Sequence, residues 1–192
     1  MNTNLYSIIT LKNKDKHKLI HDVVIRPLKV NRDPRGTLTE ALKITWKDIY
    51  SKKELPFTQM YFSTTDPGVA RDIDSWHFHP GGQQDRFGII SGDIIVAIYD
   101  NRKDSKTYQT LNLFLMGQSQ GDEGQYLLMV PPQTLHCFLV VSPTPATLIN
   151  FPNRLYDSDE EQRIFFKDVN LPDGQPFSWD QVKTSYSQFT SI

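Results

Sequence analysis

Between residues 55 and 152 the chain sustains no helical i, i+3, i+4 periodicity, and short apolar or alternating runs recur there and upstream, separated by Gly, Pro, Asn and Asp. Nine such runs read as strands: DVVIRPLKV, TLTEALKIT, FTQMYFS, RFGII, GDIIVAIYD, TYQTLNLFLM, QYLLMV, HCFLVV and ATLINF. Many short strands without intervening helices describe an antiparallel sandwich or barrel and exclude a βαβ fold. Two short helices are expected at the periphery. One covers TWKDIYSKK at 45–53; the other runs from Trp179 to Phe189, where Ser178 and Gln181 have the spacing of a capping box. With no repeat, linker or low-complexity tract, the expectation is a single domain over 1–192.

Charge narrows the function classes. The 21 Lys and Arg nearly balance 22 Asp and Glu, which gives no field for nucleic acid or anionic lipid, so neither partner is expected. No stretch of 18 apolar residues occurs, and the N-terminus lacks the basic-then-apolar order of a secretory signal, so a cytoplasmic location is expected. A single cysteine, Cys137, excludes an internal disulfide framework and any CxxC site.

The chemistry concentrates around WHFHP. His77 and His79 are two residues apart on a strand-like stretch, so both face the same side of a sheet. Five residues separate His79 from Asp85, six separate Asp85 from Gly92, and VPPQTLHCF adds His136. This order resembles the two motifs of the cupin superfamily, which implies that these side chains enter one small barrel. Three imidazoles and one carboxylate also suit Fe, Mn, Ni or Zn, so one reading makes His77, His79, Asp85 and His136 the ligands of a divalent metal. His17 and His21 lie in a polar segment and are read as solvated.

Upstream, DPRGTLTE carries Asp33, Arg35, Gly36 and Glu40, and FTQMYFSTTDPGVAR carries Phe57, Gln59, Ser63, Gly68, Val69 and Arg71; downstream, RIFFKD carries Asp168. Over residues 22 to 170 this order resembles the dTDP-4-dehydrorhamnose 3,5-epimerase (RmlC-like) family. The resemblance implies an all-β, cupin-type jelly-roll barrel and epimerisation or isomerisation of a nucleotide-linked 4-keto sugar without a cofactor. It also implies a homodimer in which DVVIRPLKV is a candidate for strand exchange. It makes His77 the general base, Asp168 the carboxylate that orients it, Tyr156 the returning acid and Arg71 the partner of the enolate. Arg35, Gln59, Arg86 and His136 become substrate contacts, with Arg35 suited to a diphosphate.

Three departures bear on that transfer. Five residues separate Arg71 from His77, where the family has two. Asp85 stands where the family carries its lysine, so a metal-free site requires Asp85 to turn from the ketone or to be neutralised by Arg86 or Arg71. Of the family's paired tyrosines only Tyr156 remains. A single epimerisation or a ketoisomerisation is therefore as compatible as a double epimerisation. A metal-dependent cupin oxygenase or isomerase and a non-catalytic sugar-binding cupin are the rival expectations. The acidic run Asp157, Asp159, Glu160 and Glu161 is read as a solvated turn, and Trp76 and Trp179 as core.

Overall fold

The computed structural model describes residues 6–191. In chain order its strands are β1 (Ile8–Ile9), β2 (Val24–Pro27), β3 (Val30–Asp33), β4 (Gly36–Thr39), β5 (Tyr61–Thr65), β6 (Ala70–Arg71) and β7 (Ser75–Phe78). There follow β8 (Asp85–Ser91), β9 (Asp93–Tyr99), β10 (Leu111–Gly117), β11 (Tyr126–Val130), β12 (Leu135–Val140), β13 (Ala146–Asn150) and β14 (Gln162–Phe165), then a helix α1 (Trp179–Thr190). One sheet has the order β1-β10-β9-β12-β7-β14, with β6 also on β12; a second has β2-β11-β8-β13-β5; β3 and β4 form a separate hairpin. Apart from the parallel β1–β10 pair, the pairings are antiparallel, and the two sheets make the jelly-roll barrel of the cupin fold.

Strand parity explains the layering. In β9, Ile94, Val96 and Ile98 point inward, where they meet Phe87 and Ile89 of β8, Leu128 of β11 and Leu148 of β13 from the facing sheet. Ile95, Ala97 and Tyr99 point outward into a second apolar layer formed with Trp76, Phe166, Phe177, Trp179 and Val182. A strand covered on both faces has no polar side, which is why GDIIVAIYD reads as a continuous apolar run rather than an alternation. Gly92 turns the chain between β8 and β9 at φ +74°, where a Cβ would come within 2.7 Å of the Ala146 backbone. Only glycine fits there.

Several local expectations are corrected. DVVIRPLKV divides around Leu28 into β2 and β3, and TLTEALKIT contributes only β4. Residues 45–53 form turns rather than a helix. The segment is too short to be a stable helix by itself, and the Ile49 carbonyl is engaged by Arg86 instead of a helical N–H while the Ile49 side chain covers the outer face of the smaller sheet. The C-terminal helix forms, but without the capping box: Ser178 makes no side-chain cap. Burial of Trp179 and Val182 against the outer layer holds α1 in place. No helix among the described residues is long and apolar enough to cross a membrane.

Candidate active site

The inward parity that builds the core also builds the site. β7 and β12 pair with His136 directly opposite His77, and His79, one residue beyond β7, repeats the facing of His77. Asp85 opens β8 on the same face as Phe87 and Ile89. The four groups converge: His77 Nε2 lies 3.1 Å from His79 Nε2, His79 Nε2 3.3 Å from Asp85 Oδ2, and His136 Nε2 3.6 Å from the same oxygen. They line a cavity of about 200 Å³ together with Tyr61, Ser63, Arg71, Asp72 and Arg163. That space is smaller than the ordinary ligand pocket and admits little more than one sugar ring. Larger clefts lie elsewhere among the described residues, one of them beside His21, but none is lined by His77, His79 or His136.

Burial and hydrogen bonding set the electrostatics. Burial, then the neighbouring His136 and His79 rings, push the His77 imidazole down to about 2, against a smaller opposing pull from Asp85. His77 is therefore neutral at rest. Burial likewise lowers His136, whose Nδ1 faces the Thr134 carbonyl at 3.2 Å. For Asp85, burial favours the neutral acid, but the hydrogen bond with His79, the two histidines and Asn150 prevail and bring it to about 2. Its Oδ1 accepts from Gln83 Nε2 at 3.0 Å and Asn150 Nδ2 at 2.7 Å.

Asp168 does not join this group. It is exposed in the turn after β14, where its neighbours Phe166 and Val169 anchor in the outer layer on the far side of the large sheet. The carboxylates at His77 are instead Asp72, with Oδ2 3.9 Å from Nδ1, and Glu161, with Oε1 3.8 Å from the same atom. Asp72 lies within the five residues between Arg71 and His77 and turns the chain at φ +66°. Glu161, read from sequence as part of a solvated run, immediately precedes β14, which pairs with β7 and sets Arg163 opposite His77. Arg163 binds both acids, through Nε to Asp72 at 2.6 Å and through Nη2 to Glu161 at 2.8 Å.

Other assignments also move. Arg86 has the opposite parity to Asp85 and is fully buried away from the cavity, donating to the carbonyls of Ile49, Leu55, Pro56 and Phe151. It is neither a substrate contact nor the neutralising partner of Asp85. Tyr156 is 66% exposed and does not line the cavity; the cavity's phenol is Tyr61, which accepts from Asn150 Nδ2 at 2.8 Å. Burial, with the Asp85 charge adding to it, pushes the Tyr61 hydroxyl up to about 12. Its signal in the sequence was the alternation Tyr61, Ser63, Thr65 along β5, whereas the family resemblance directed attention to Tyr156. Gln59 donates to the Arg154 carbonyl outside the cavity. Arg35 sits at the tip of the β3–β4 hairpin, paired with Asp33 and remote from the cavity of its own chain. Arg71 does line the cavity, steadied by Thr65 Oγ1 at 3.0 Å and the Thr64 carbonyl.

Comparison with known proteins supplies a context for this geometry. The family model described as dTDP-4-dehydrorhamnose 3,5-epimerase matches residues 17–185. The chain is 39% identical over 147 residues to the probable low-salt glycan biosynthesis epimerase Agl13 of Haloferax volcanii, covering 76% of this chain and 87% of that one. It is 30% identical over 164 residues to the spore coat polysaccharide biosynthesis protein SpsL of Bacillus subtilis, covering 84% and 97%. Among solved structures, a dTDP sugar isomerase from Desulfovibrio desulfuricans superimposes with a TM-score of 0.69 at 23% identity, covering 84% of this chain and 92% of that one. A dTDP-4-dehydrorhamnose 3,5-epimerase from Elizabethkingia anophelis gives 0.66 at 20%, covering 86% and 91%. These two share the fold.

Proposed function

Because the chain belongs to the dTDP-4-dehydrorhamnose 3,5-epimerase family, we propose that it moves a proton at the carbon next to the ketone of a nucleotide-linked 4-keto sugar. The observation that carries this reading is the setting of His77: Nε2 faces the cavity beside His79, and Nδ1 faces two carboxylates held by one arginine. A general base needs such an arrangement, with one nitrogen free to take the proton and the other supported as positive charge develops.

In the proposed step His77 Nε2 takes the α-proton, the C–H electron pair enters the new C=C bond, and the ketone oxygen becomes an enolate oxygen. The neutral resting state of His77 keeps its lone pair available. Its low proton affinity is offset in the reaction as Asp72 and Glu161 close on the Nδ1–H of the imidazolium. Arg71 is the cation on the cavity wall suited to the enolate oxygen. Tyr61, which stays protonated at neutral pH, is the acid suited to returning a proton to the opposite face, its phenolate then recovering a proton from solvent. Return to the same carbon re-forms the ketone and inverts one centre; return to the former carbonyl carbon, with the adjacent hydroxyl proton passing to the enolate oxygen, moves the ketone, and in either case His77 gives its proton to solvent. No cofactor enters either sequence.

The cavity takes the sugar and leaves the nucleotide outside. The family reading therefore extends to a homodimer, which the solvent-exposed Arg35 hairpin supports by offering a cation beyond its own subunit. Solvent deuterium is the test. Incubation in heavy water with a 4-keto sugar nucleotide is expected to introduce deuterium next to the ketone, and His77→Asn is expected to reduce that exchange by about 100-fold or more while nucleotide binding persists. Exchange at the wild-type rate in the variant removes His77 from the mechanism.

A further inference from the structure

We propose that Trp179, the first residue of α1, is a positioning residue for the reaction at His77: its indole N–H holds the main chain of Asp72, so the C-terminal helix places the carboxylate that supports the base without itself reaching the cavity. This role rests on the proton-transfer reading of His77. Trp179 Nε1 donates to the Asp72 carbonyl at 3.2 Å, a bond between residues 107 positions apart. The same Asp72 presents Oδ2 to His77 Nδ1 at 3.9 Å. Both Asp72 and His77 line the cavity, and Trp179 does not. Asp72 therefore joins the helix to the site.

Asp72 needs that hold. It adopts φ +66°, a left-handed conformation disfavoured for an L side chain, so it stays there only while its surroundings impose it. Packing does little for the segment, because Ile73, its large apolar residue, is 76% exposed. Hydrogen bonds act in its place. The Phe166 N–H donates to the Asp74 carbonyl at 2.9 Å and fixes the far end, Arg163 Nε holds the Asp72 carboxylate at 2.6 Å, and Trp179 holds the Asp72 carbonyl. The arginine by itself leaves the carboxylate free to pivot about its side-chain torsions; a second grip on the main chain fixes the Cα from which that side chain departs. The anchor is firm, since Trp179 is buried in the outer layer, edge-on to Phe177 at 4.9 Å and Phe166 at 6.4 Å. Such packing asks only for a large apolar ring, which phenylalanine would supply. What the indole adds is a donor, and that donor is spent on Asp72.

Trp179→Phe is expected to lower kcat for turnover of a 4-keto sugar nucleotide by about tenfold, with KM within about twofold of wild type, because the groups that contact the sugar are unchanged. A double-mutant cycle decides the route. Once Asp72→Asn has removed the carboxylate, adding Trp179→Phe should change kcat by less than about twofold. Additive losses, or a loss expressed mainly in KM, overturn the proposal, since a residue that only stabilises the fold acts alike in both backgrounds. Replacing the Trp179 indole with benzothiophene keeps the size of the ring and deletes only the N–H, which keeps the test open if Trp179→Phe folds poorly. The same fall in kcat is expected, and wild-type turnover by the folded isostere overturns the role. A readout independent of turnover is the ring-nitrogen NMR signals, of which those of His77 should move in the isostere while those of His17 and His21 stay in place. If wild-type protein shows no turnover, the proton-transfer reading fails by itself: a His77 signal that moves still establishes the link from Trp179 to the site, and one that stays in place overturns it.

Discussion

His77 Nδ1 stands 3.9 Å from Asp72 Oδ2, and the chain brings the two together by inserting Asp72 into the turn before the histidine's own strand. His77 thus takes its carboxylate from the near side of β7 rather than from the turn after β14. Asp72→Asn is expected to lower kcat for sugar-nucleotide turnover by about 100-fold with a small change in KM, because the lost interaction is strongest when His77 is protonated. Asp168→Asn should remain within about twofold of wild type. Steady-state kinetics of the two variants side by side decide between the carboxylates, and a larger loss in Asp168→Asn reverses the assignment.

The phenols offer a parallel comparison. Tyr61 lines the cavity and Tyr156 lies outside it, so Tyr61→Phe should cut product formation by about 100-fold, while Tyr156→Phe leaves it close to wild type. If Tyr61 only returns the proton, deuterium should still exchange on the abstraction side in Tyr61→Phe. Chiral analysis of the recovered sugar separates the two half-reactions.

Arg86 is a stability residue. Replacing it with leucine removes the donor from four main-chain carbonyls, three of which, those of Ile49, Leu55 and Pro56, cross-link the 49–56 segment to β8. Leaving buried carbonyls without partners should cost about 3 kcal/mol or more, read as a lower denaturation midpoint. Protein that remains folded should bind sugar nucleotide normally, whereas a substrate contact would show the reverse pattern.

Acid sensitivity is expected from Asp100. Burial by itself would raise its pKa, but hydrogen bonds from Arg102, Ser105 and Thr107 prevail and bring it to about 2, against 3.8 for the unperturbed group. A carboxyl with a lower pKa folded than unfolded stabilises the fold above the unfolded value and loses that contribution as pH falls through the folded one. The difference corresponds to about 2 kcal/mol, present near pH 7 and lost between about pH 5 and pH 2. Asp100→Asn should lower the melting temperature at pH 7 and flatten its decline toward acid. An unchanged slope rules out Asp100 as a source of the acid dependence.

Local pattern alone was sufficient for the β-rich class and for the shared facing of His77 and His79, whereas His136 was added by the family resemblance and is brought there by the pairing of β12 with β7. The reason is geometric: a strand has a period of two, so HxH specifies one face, and turn residues mark where strands end. The same rule, applied to Asp85 and Arg86, separates the carboxylate that enters the site from the arginine that leaves it. What local pattern could not specify was which distant groups complete the chemistry. Asp72 and Glu161 meet at one imidazole because β14 pairs with β7, a pairing between residues about 85 positions apart that no short-range period encodes. Asp168 was displaced by packing, since Phe166 and Val169 gain more from the outer apolar layer than the turn could gain by facing inward. The family order of residues established which kind of site this is; the pairing of strands and the burial of their flanks decided which side chains occupy it.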